Sequence, residues 1–172
     1  MSFAPPPTPY PPDRYSEAEG EVSGRFRPHD APHDLESASG WTDYLTTGAG
    51  TGGDYGLYRW HMAGPPGGPD PHFHRSLSES FFVLDGEIRL YDGSGWTTGR
   101  PGDFLYVPPG GIHSFRNESG APATMLILFA PGAPRERYFE GLVERGTMDP
   151  KPTAEEMAEF FRVHDTYWVD QP

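Results

Sequence analysis

Three histidines and one glutamate have the residue types and the spacing of a divalent-metal site. His72 and His74 stand two positions apart, Glu79 follows five positions later, and His113 lies further along the chain. Because alternate residues of a strand point to the same face, His72 and His74 can direct both imidazoles at one ion. An odd offset would send Glu79 to the opposite face of a continuous strand, so we predict a bend or bulge at residues 75–78.

The chemistry of these four side chains suits one divalent first-row transition ion. Neutral imidazoles and a carboxylate bind Fe²⁺, Mn²⁺, Ni²⁺, Co²⁺, Cu²⁺ or Zn²⁺, and the residue types do not choose among them. With one carboxylate the site keeps a net positive charge and would favour an anionic oxygen ligand. Four protein ligands leave open positions on a five- or six-coordinate ion, which is typical of catalytic rather than structural sites.

The composition excludes several classes of protein. The 172 residues suit one domain with a single core, and 21 prolines and 22 glycines predict many turns. The net charge is −12 and no run of Lys and Arg occurs, which disfavours binding to nucleic acid or to an anionic membrane surface. The absence of cysteine excludes disulfides and thiolate metal sites.

Nothing in the sequence indicates a membrane or secretory segment. The N-terminus has neither a basic stretch nor an apolar stretch of signal-peptide length. The longest apolar run, residues 125–130, is too short to span a bilayer. We therefore expect a soluble, cytoplasmic protein whose partners include neither nucleic acid nor membrane.

Composition and periodicity divide the chain into three parts. Residues 1–40 are proline-rich and polar, and we expect an extended polyproline-type segment in which His29 and His33 are solvated loop residues. Residues 41–132 contain short β-type segments separated by turn residues. Residues 133–172 contain two helical patterns and form a helical extension.

The middle part predicts an antiparallel sandwich or barrel. Predicted strands cover residues 56–62, 80–84, 87–91, 96–98, 104–107, 113–117 and 123–129. Tight turns are indicated at Asp85-Gly86 and at Asp92-Gly93, because both residue types tolerate a positive φ. Many short strands at this spacing are typical of closed or two-layered antiparallel folds.

Two helices are predicted in the C-terminal part. The first has an apolar stripe over residues 138–143. The second begins with a capping box formed by Thr153 and Glu156, followed by an apolar stripe that ends at His164. We expect both stripes to pack against the outside of the barrel, with His164 as a packed residue rather than a ligand.

The four candidate ligands lie inside two spaced patterns that resemble the two motifs of the cupin superfamily. In this sequence the first pattern comprises His72, His74, Glu79 and Gly86, and the second comprises Gly102, Pro108, Gly110, His113 and Asn117. This sequence differs from the first motif at one position, because the motif opens with glycine and this chain has Pro66 there. The resemblance implies an all-β jelly-roll barrel with the metal inside one end. It also implies that the four titratable residues are ligands and the others structural.

The resemblance extends more softly over about residues 41–168, where the chain is similar to single-domain cupins described as quercetin-dioxygenase-like. This similarity implies a metal-dependent dioxygenase that acts on an aromatic or enolisable, flavonol-like small molecule. It further implies that Glu79 serves both as a ligand and as the acceptor of the proton from the substrate hydroxyl.

An apolar, aromatic pocket is expected around the ion. By alternation Phe81 and Val83 share the face of Glu79, and Phe115 shares the face of His113. From the last strand either Met125 and Ile127 or Leu126 and Leu128 face inward, and alternation alone does not choose; we take the first pair as candidate lining. Because a small barrel must fill its interior, a core role is favoured over specific substrate contact for all five positions.

Two alternatives use the same residues differently. Zn²⁺ or Ni²⁺ could polarise a carbonyl in a non-oxidative cyclase, isomerase or lyase acting on polyketide-like or sugar-like substrates. The protein could instead be a non-catalytic module that binds a small ligand. Since exposed barrel edges are commonly covered by a second subunit, we also expect a homodimer.

Overall fold

The structure is a computed structural model that describes residues 10–169. Residues 1–9 hold most of the predicted polyproline-type tail and lie outside the described residues. Within the described part, residues 10–34 have no regular helix or strand. No helix of residues 10–169 is both long enough and apolar enough to cross a bilayer.

Eleven strands and two helices make up the regular structure of residues 10–169. The strands are β1 Leu35–Ser37, β2 Gly40–Thr46, β3 Gly56–Met62, β4 His72–Phe73, β5 Ser78–Asp85, β6 Ile88–Tyr91, β7 Trp96–Gly99, β8 Phe104–Val107, β9 Ser114–Arg116, β10 Ala123–Ala130 and β11 Tyr167–Trp168. The helices are α1 Arg135–Thr147 and α2 Ala154–Val163, and a short 3-10 helix covers Ala49–Thr51.

The strands form an antiparallel jelly-roll barrel, as the sequence predicts. Six strands pair in the order β1-β2-β3-β10-β5-β8, and three pair in the order β7-β6-β9. Among the strands given above, β4 pairs with β11. Isolated bridges join His72 to His113 and Gly67 to Asn117, and the second residue of each bridge flanks β9. The two metal-site patterns therefore meet where His72 pairs with His113.

The barrel interior is filled by alternating residues of the central strands. Buried and half-buried residues alternate throughout β10, with Met125 and Ile127 buried and Leu126 and Leu128 half-buried. The choice that alternation left open is thus decided in favour of the first pair. From β5, which pairs with β10, Phe81 and Val83 are also fully buried.

The N-terminal segment is held on the barrel by the buried Asp43. The carboxylate of Asp43 accepts hydrogen bonds from Arg59 Nε at 2.7 Å and lies 2.7 Å from His33 Nδ1. Trp41 stacks between His33 and His61, at ring-centre distances of 4.0 and 4.7 Å. His33 lies in a loop and is exposed, as expected, although its ring also contacts Asp43 and Trp41. His29 stays exposed.

The C-terminal part packs on the barrel through aromatic side chains. Tyr138 and Phe139 of α1 and Phe160 of α2 are buried, and the rings of Tyr138 and Phe160 stack at 5.6 Å. The predicted capping box is present at the start of α2. His164 packs 4.5 Å from Phe160, as expected. The chain then returns to the barrel as β11, a strand that the sequence did not indicate.

Candidate metal centre

A bend between β4 and β5 brings Glu79 to the same side as His72 and His74. β4 ends at Phe73 and β5 begins at Ser78, with bent backbone at residues 75 and 76. The odd offset in sequence is absorbed there, as predicted. Phe73 points away from the site and stacks on Tyr167 at a ring-centre distance of 5.3 Å.

A glycine turn delivers His113 from the second pattern. Gly110 has a φ of +82°, and its backbone N–H donates to the carbonyl of His74 at 2.7 Å. Gly111 closes the turn by donating to the carbonyl of Pro108 at 2.9 Å. A residue with a Cβ would be strained at the φ of Gly110. This turn therefore ties the second pattern directly to a ligand of the first.

The four predicted ligands converge in a buried cluster. One candidate ligand atom from each of His72, His74, Glu79 and His113 lies within 4.8 Å of all the others. Each of the four residues is 5% exposed or less. Glu79 Oε2 lies 3.0 Å from His74 Nε2 and 2.9 Å from His113 Nε2.

Each imidazole is oriented by a backbone carbonyl behind it. His72 Nδ1 donates to the carbonyl of Asp70 at 2.8 Å, and His113 Nδ1 donates to that of Gly111 at 2.9 Å. His74 Nδ1 donates to the carbonyl of Asp165. A carbonyl only accepts, so it fixes the proton on Nδ1 and leaves Nε2 for the centre of the cluster. This arrangement is typical of histidines that bind metals.

Burial and mutual charge shift the pKa values of the cluster. Burial lowers the pKa of His72 to about 3, so its ring is neutral. Burial also disfavours the charged form of His113, but the carboxylate of Glu79 outweighs it and raises the pKa of His113. Burial alone would raise the pKa of Glu79, but His113 and His74 hold it well below its usual range.

This donor set fits a divalent first-row ion. Three imidazole nitrogens and one carboxylate oxygen are buried, oriented and close together, and all four are donors that such ions accept. Among residues 10–169, these four form the cluster of side chains that could hold a metal. Neither His29 nor His33 belongs to it.

The other residues of the two patterns have structural contacts. Asn117 is fully buried, and its amide donates to the carbonyls of Ala121 at 2.7 Å and Ala63 at 3.2 Å. Its Oδ1 accepts from the backbone N–H of Ser119 at 3.0 Å. Gly86 has a φ of +74°, and a Cβ there would lie 2.6 Å from the carbonyl oxygen of Pro122.

The expected pocket residues lie in the buried core, where Phe81 packs beside the cluster. The Phe81 ring centre is 5.9 Å from that of His113 and 5.6 Å from that of Phe115. Val83, Met125 and Ile127 are buried in the same core. Their contact with a substrate stays a prediction.

Arg135, at the start of α1, is a buried cation near the site that the sequence did not indicate. It is 4% exposed, and one terminal nitrogen donates to the carbonyl of His164 at 2.8 Å. Within residues 10–169 its Nε is buried without a hydrogen-bond partner. The guanidinium lies 4.9 Å from the ring centre of Phe129, which pairs with Glu79 across neighbouring strands. Burial lowers the pKa of Arg135.

Comparison with known families agrees with the fold and with the position of the cluster. Residues 60–129 match the family model described as the cupin domain, and they contain all four candidate ligands. The chain carries a cupin domain. The segments before β3 and after β10, including α1, α2 and β11, lie outside the matched region of this cupin.

Curated relatives match this cupin over part of their length. Quercetin 2,3-dioxygenase of Bacillus subtilis (strain 168) is 38% identical over 66 residues, which are 36% of this chain and 18% of that enzyme. A germin-like protein (subfamily 2 member 3) of Arabidopsis thaliana is 39% identical over 72 residues, covering 37% of this chain and 32% of that protein. The cupin chain thus spans less than a third of the length of either relative.

Solved structures share the fold. The polyketide cyclase RemF of Streptomyces resistomycificus is similar with a TM-score of 0.54 and 19% identity, over 66% of this chain and 82% of that one. This likeness concerns the jelly-roll fold alone.

Proposed function

We propose that this cupin is a metal-dependent dioxygenase that acts on an aromatic or enolisable small molecule, such as a flavonol. One divalent transition ion would be held by His72, His74, Glu79 and His113. The observation that carries the proposal is the buried convergence of these four side chains within 4.8 Å, with every imidazole oriented by a backbone carbonyl. A surface cluster without such orientation would not favour a metal.

A redox-active ion bound there would supply open coordination positions and would couple oxidation of a substrate enolate or phenolate to reduction of dioxygen. The chain itself contributes a proton acceptor. The lowered pKa of Glu79 keeps its carboxylate deprotonated at neutral pH, which is the form that can accept a proton. Within residues 10–169, the contacts of Glu79 with the Nε2 atoms of His74 and His113 involve Oε2. We assign Oε1 as the atom that takes the hydroxyl proton of the substrate.

The surroundings of the cluster suit an apolar, aromatic substrate. Phe81 lies beside His113, Phe115 packs against Phe81, and Trp60 lies 6.3 Å from Phe115. Such rings exclude water from a site and contact flat substrates face to face or edge to face. The local similarity to quercetin 2,3-dioxygenase supports this substrate class over the 66 residues that match.

Oxygen uptake with defined metal content tests the proposal. The metal-free cupin is loaded separately with Fe²⁺, Mn²⁺, Co²⁺, Ni²⁺, Cu²⁺ and Zn²⁺, and each form is mixed with a flavonol in an oxygen-electrode cell. With at least one redox-active ion, we expect about one dioxygen to be taken up for each flavonol consumed. We expect no consumption of the flavonol when oxygen is absent, and none by the His113→Gln variant. His61→Gln is the matched control, since His61 bonds Thr124 and does not belong to the cluster.

Three other outcomes separate the alternatives. Conversion of a polyketide-like or sugar-like substrate without oxygen uptake would favour a non-oxidative cyclase, isomerase or lyase. Binding of a flavonol without conversion under any metal would favour a ligand-binding module. Absence of both binding and conversion for the flavonols would contradict the proposed substrate class.

A further inference from the structure

We propose that residues 164–169, called the C-terminal strap below, are a working part of the metal centre, with Asp165 as the residue that positions His74. The proposal rests on metal binding by the four clustered side chains. The C-terminal strap lies outside the region that matches the cupin family, residues 60–129. This protein would therefore complete its site with a segment that its cupin domain does not contain.

The C-terminal strap pairs directly with the strand that carries two ligands. In the antiparallel pair of β11 and β4, Tyr167 lies opposite Phe73 and Trp168 lies opposite His72. The backbone N–H of Val169 continues the pairing by donating to the carbonyl of Pro71 at 3.1 Å. The ring of Trp168 lies 5.1 Å from that of His72. The edge of β4 that would otherwise be open is thus covered.

Asp165 contacts both a ligand and the bend that places another ligand. Its carbonyl accepts the Nδ1 proton of His74. Its carboxylate accepts hydrogen bonds from the backbone N–H of Ser76 at 2.8 Å, from Ser76 Oγ at 2.6 Å and from the backbone N–H of Arg75 at 3.0 Å. One residue therefore sets the ring orientation of His74 and fixes the bend that turns Glu79 inward.

The position of Asp165 is itself fixed by the helices. Asp165 has a φ of +54°, which a residue with a Cβ rarely adopts without support. On one side Arg135 donates to the carbonyl of His164 at 2.8 Å, and on the other Thr166 N–H donates to the carbonyl of Phe161 at 2.9 Å. The path from α2 to the ligand His74 is thus a continuous set of hydrogen bonds.

The physical consequence is a direct effect on metal affinity. Acceptors behind ligating histidines orient the ring and raise its basicity, and their loss typically lowers metal affinity by about 10- to 100-fold. Asp165 provides that acceptor for His74 and also holds the neighbouring bend. The six-stranded sheet does not include β4 or β11, so a change at Asp165 leaves the pairing of the main sheet intact.

Metal titration of full-length variants tests this role. Affinity for Co²⁺ is measured for the unaltered cupin, for Asp165→Gly and for Asp165→Asn, together with the visible absorption of the bound ion. Glycine tolerates the positive φ but removes the carboxylate, whereas asparagine keeps one side-chain acceptor. Both variants keep the backbone carbonyl that accepts from His74, so their effect comes from releasing the bend and the C-terminal strap that the carboxylate holds. We expect a loss of about tenfold with a changed spectrum for Asp165→Gly, and a smaller loss for Asp165→Asn.

Asp92→Gly is the matched control. The carboxylate of Asp92 also accepts two backbone N–H groups, from Ser94 at 2.8 Å and Gly95 at 3.0 Å, but in the hairpin turn between β6 and β7. The Asp92→Gly variant should bind Co²⁺ with the affinity of the unaltered cupin. If Asp165→Gly does not fold, Ser76→Ala takes its place, because it removes only the exposed hydroxyl bond to Asp165. A measurable loss of Co²⁺ affinity, smaller than tenfold, is then expected.

The outcomes distinguish this proposal from the proposed metal site. If Asp165→Gly or its substitute binds Co²⁺ with the affinity and spectrum of the unaltered cupin while His72→Ala does not bind, the C-terminal strap is only structural. If His72→Ala also binds Co²⁺ normally, the ligand assignment itself is wrong. If Asp165→Gly and Asp92→Gly lose the same amount of Co²⁺ affinity, the positioning role of Asp165 is likewise overturned.

Discussion

His72 and His113 face each other across a reciprocal backbone pair. The N–H of His72 donates to the carbonyl of His113 at 3.0 Å, and the N–H of His113 donates to the carbonyl of His72 at 2.9 Å. Residues directly opposite in an antiparallel pair present their side chains on the same face. The two rings are accordingly 4.4 Å apart. The backbone thus sets the distance between two ligands from the two sequence patterns before any ion binds.

The turn that delivers His113 should depend on glycine at one position. Gly110→Ala is expected to destabilise the cupin by about 1–2 kcal/mol, because the positive φ of Gly110 disfavours a Cβ. Thermal or urea unfolding of the metal-free protein measures the effect. Gly95→Ala is the control, since neither glycine has a heavy atom within 4 Å of an added Cβ and Gly95 has no such φ. Equal effects at both positions would contradict this explanation.

Metal affinity should weaken as the pH falls through the neutral range. In the metal-free protein the pKa of His113 is raised, so protons compete for its Nε2 at a higher pH than for an ordinary histidine. The lowered pKa of His72, about 3, means that this ring does not compete in the same range. Affinity for Co²⁺ is measured at several values between about pH 8 and pH 6. A constant affinity across that range would contradict the assigned protonation of His113.

Asp43 should make a pH-dependent contribution to stability. Burial would raise its pKa, but His33 and Arg59 outweigh burial and lower it. Its ionised form therefore stabilises the fold above the unfolded pKa, and this contribution is lost as the pH falls through the lowered folded pKa. Asp43→Asn should cost about 3 kcal/mol at neutral pH and less below about pH 4.

Chemical denaturation at several pH values measures that difference. Asp30→Asn is the control, because Asp30 is exposed in the same N-terminal segment. A stability difference between the unaltered cupin and Asp43→Asn that does not shrink in acid would show that the Asp43 charge is not the cause.

Strand alternation predicted how most residues of the first pattern are arranged, but few of the contacts that hold them in place. Alternation placed His72 and His74 on one face, and the odd offset of Glu79 required the bend that is present at residues 75 and 76. Position 113 needed the spaced motif, since no local rule relates it to the other ligands. These residues lie in or beside strands, where the period of two is informative.

The supporting contacts could not be predicted because they join distant parts of the chain. Asp165 lies 91 positions from His74, and β11 has only two residues, too few for any periodicity. Arg135 is buried because it packs against the rings of Phe129 and Tyr138, contacts that composition does not indicate. For the same reason the loop position of His33 did not indicate that its ring stacks on Trp41.

Metal content per chain tests the central claim most directly. The cupin is purified without added metal, reloaded with Co²⁺ or Mn²⁺, desalted and measured by elemental analysis, beside His72→Ala, Glu79→Gln and the control His61→Gln. We predict about one ion per chain for the unaltered protein and the control, and less than about a tenth for the two ligand variants, all with the same fold by circular dichroism. Equal content in all four proteins, or only traces in every preparation, would contradict the assignment of His72, His74, Glu79 and His113 as a metal centre.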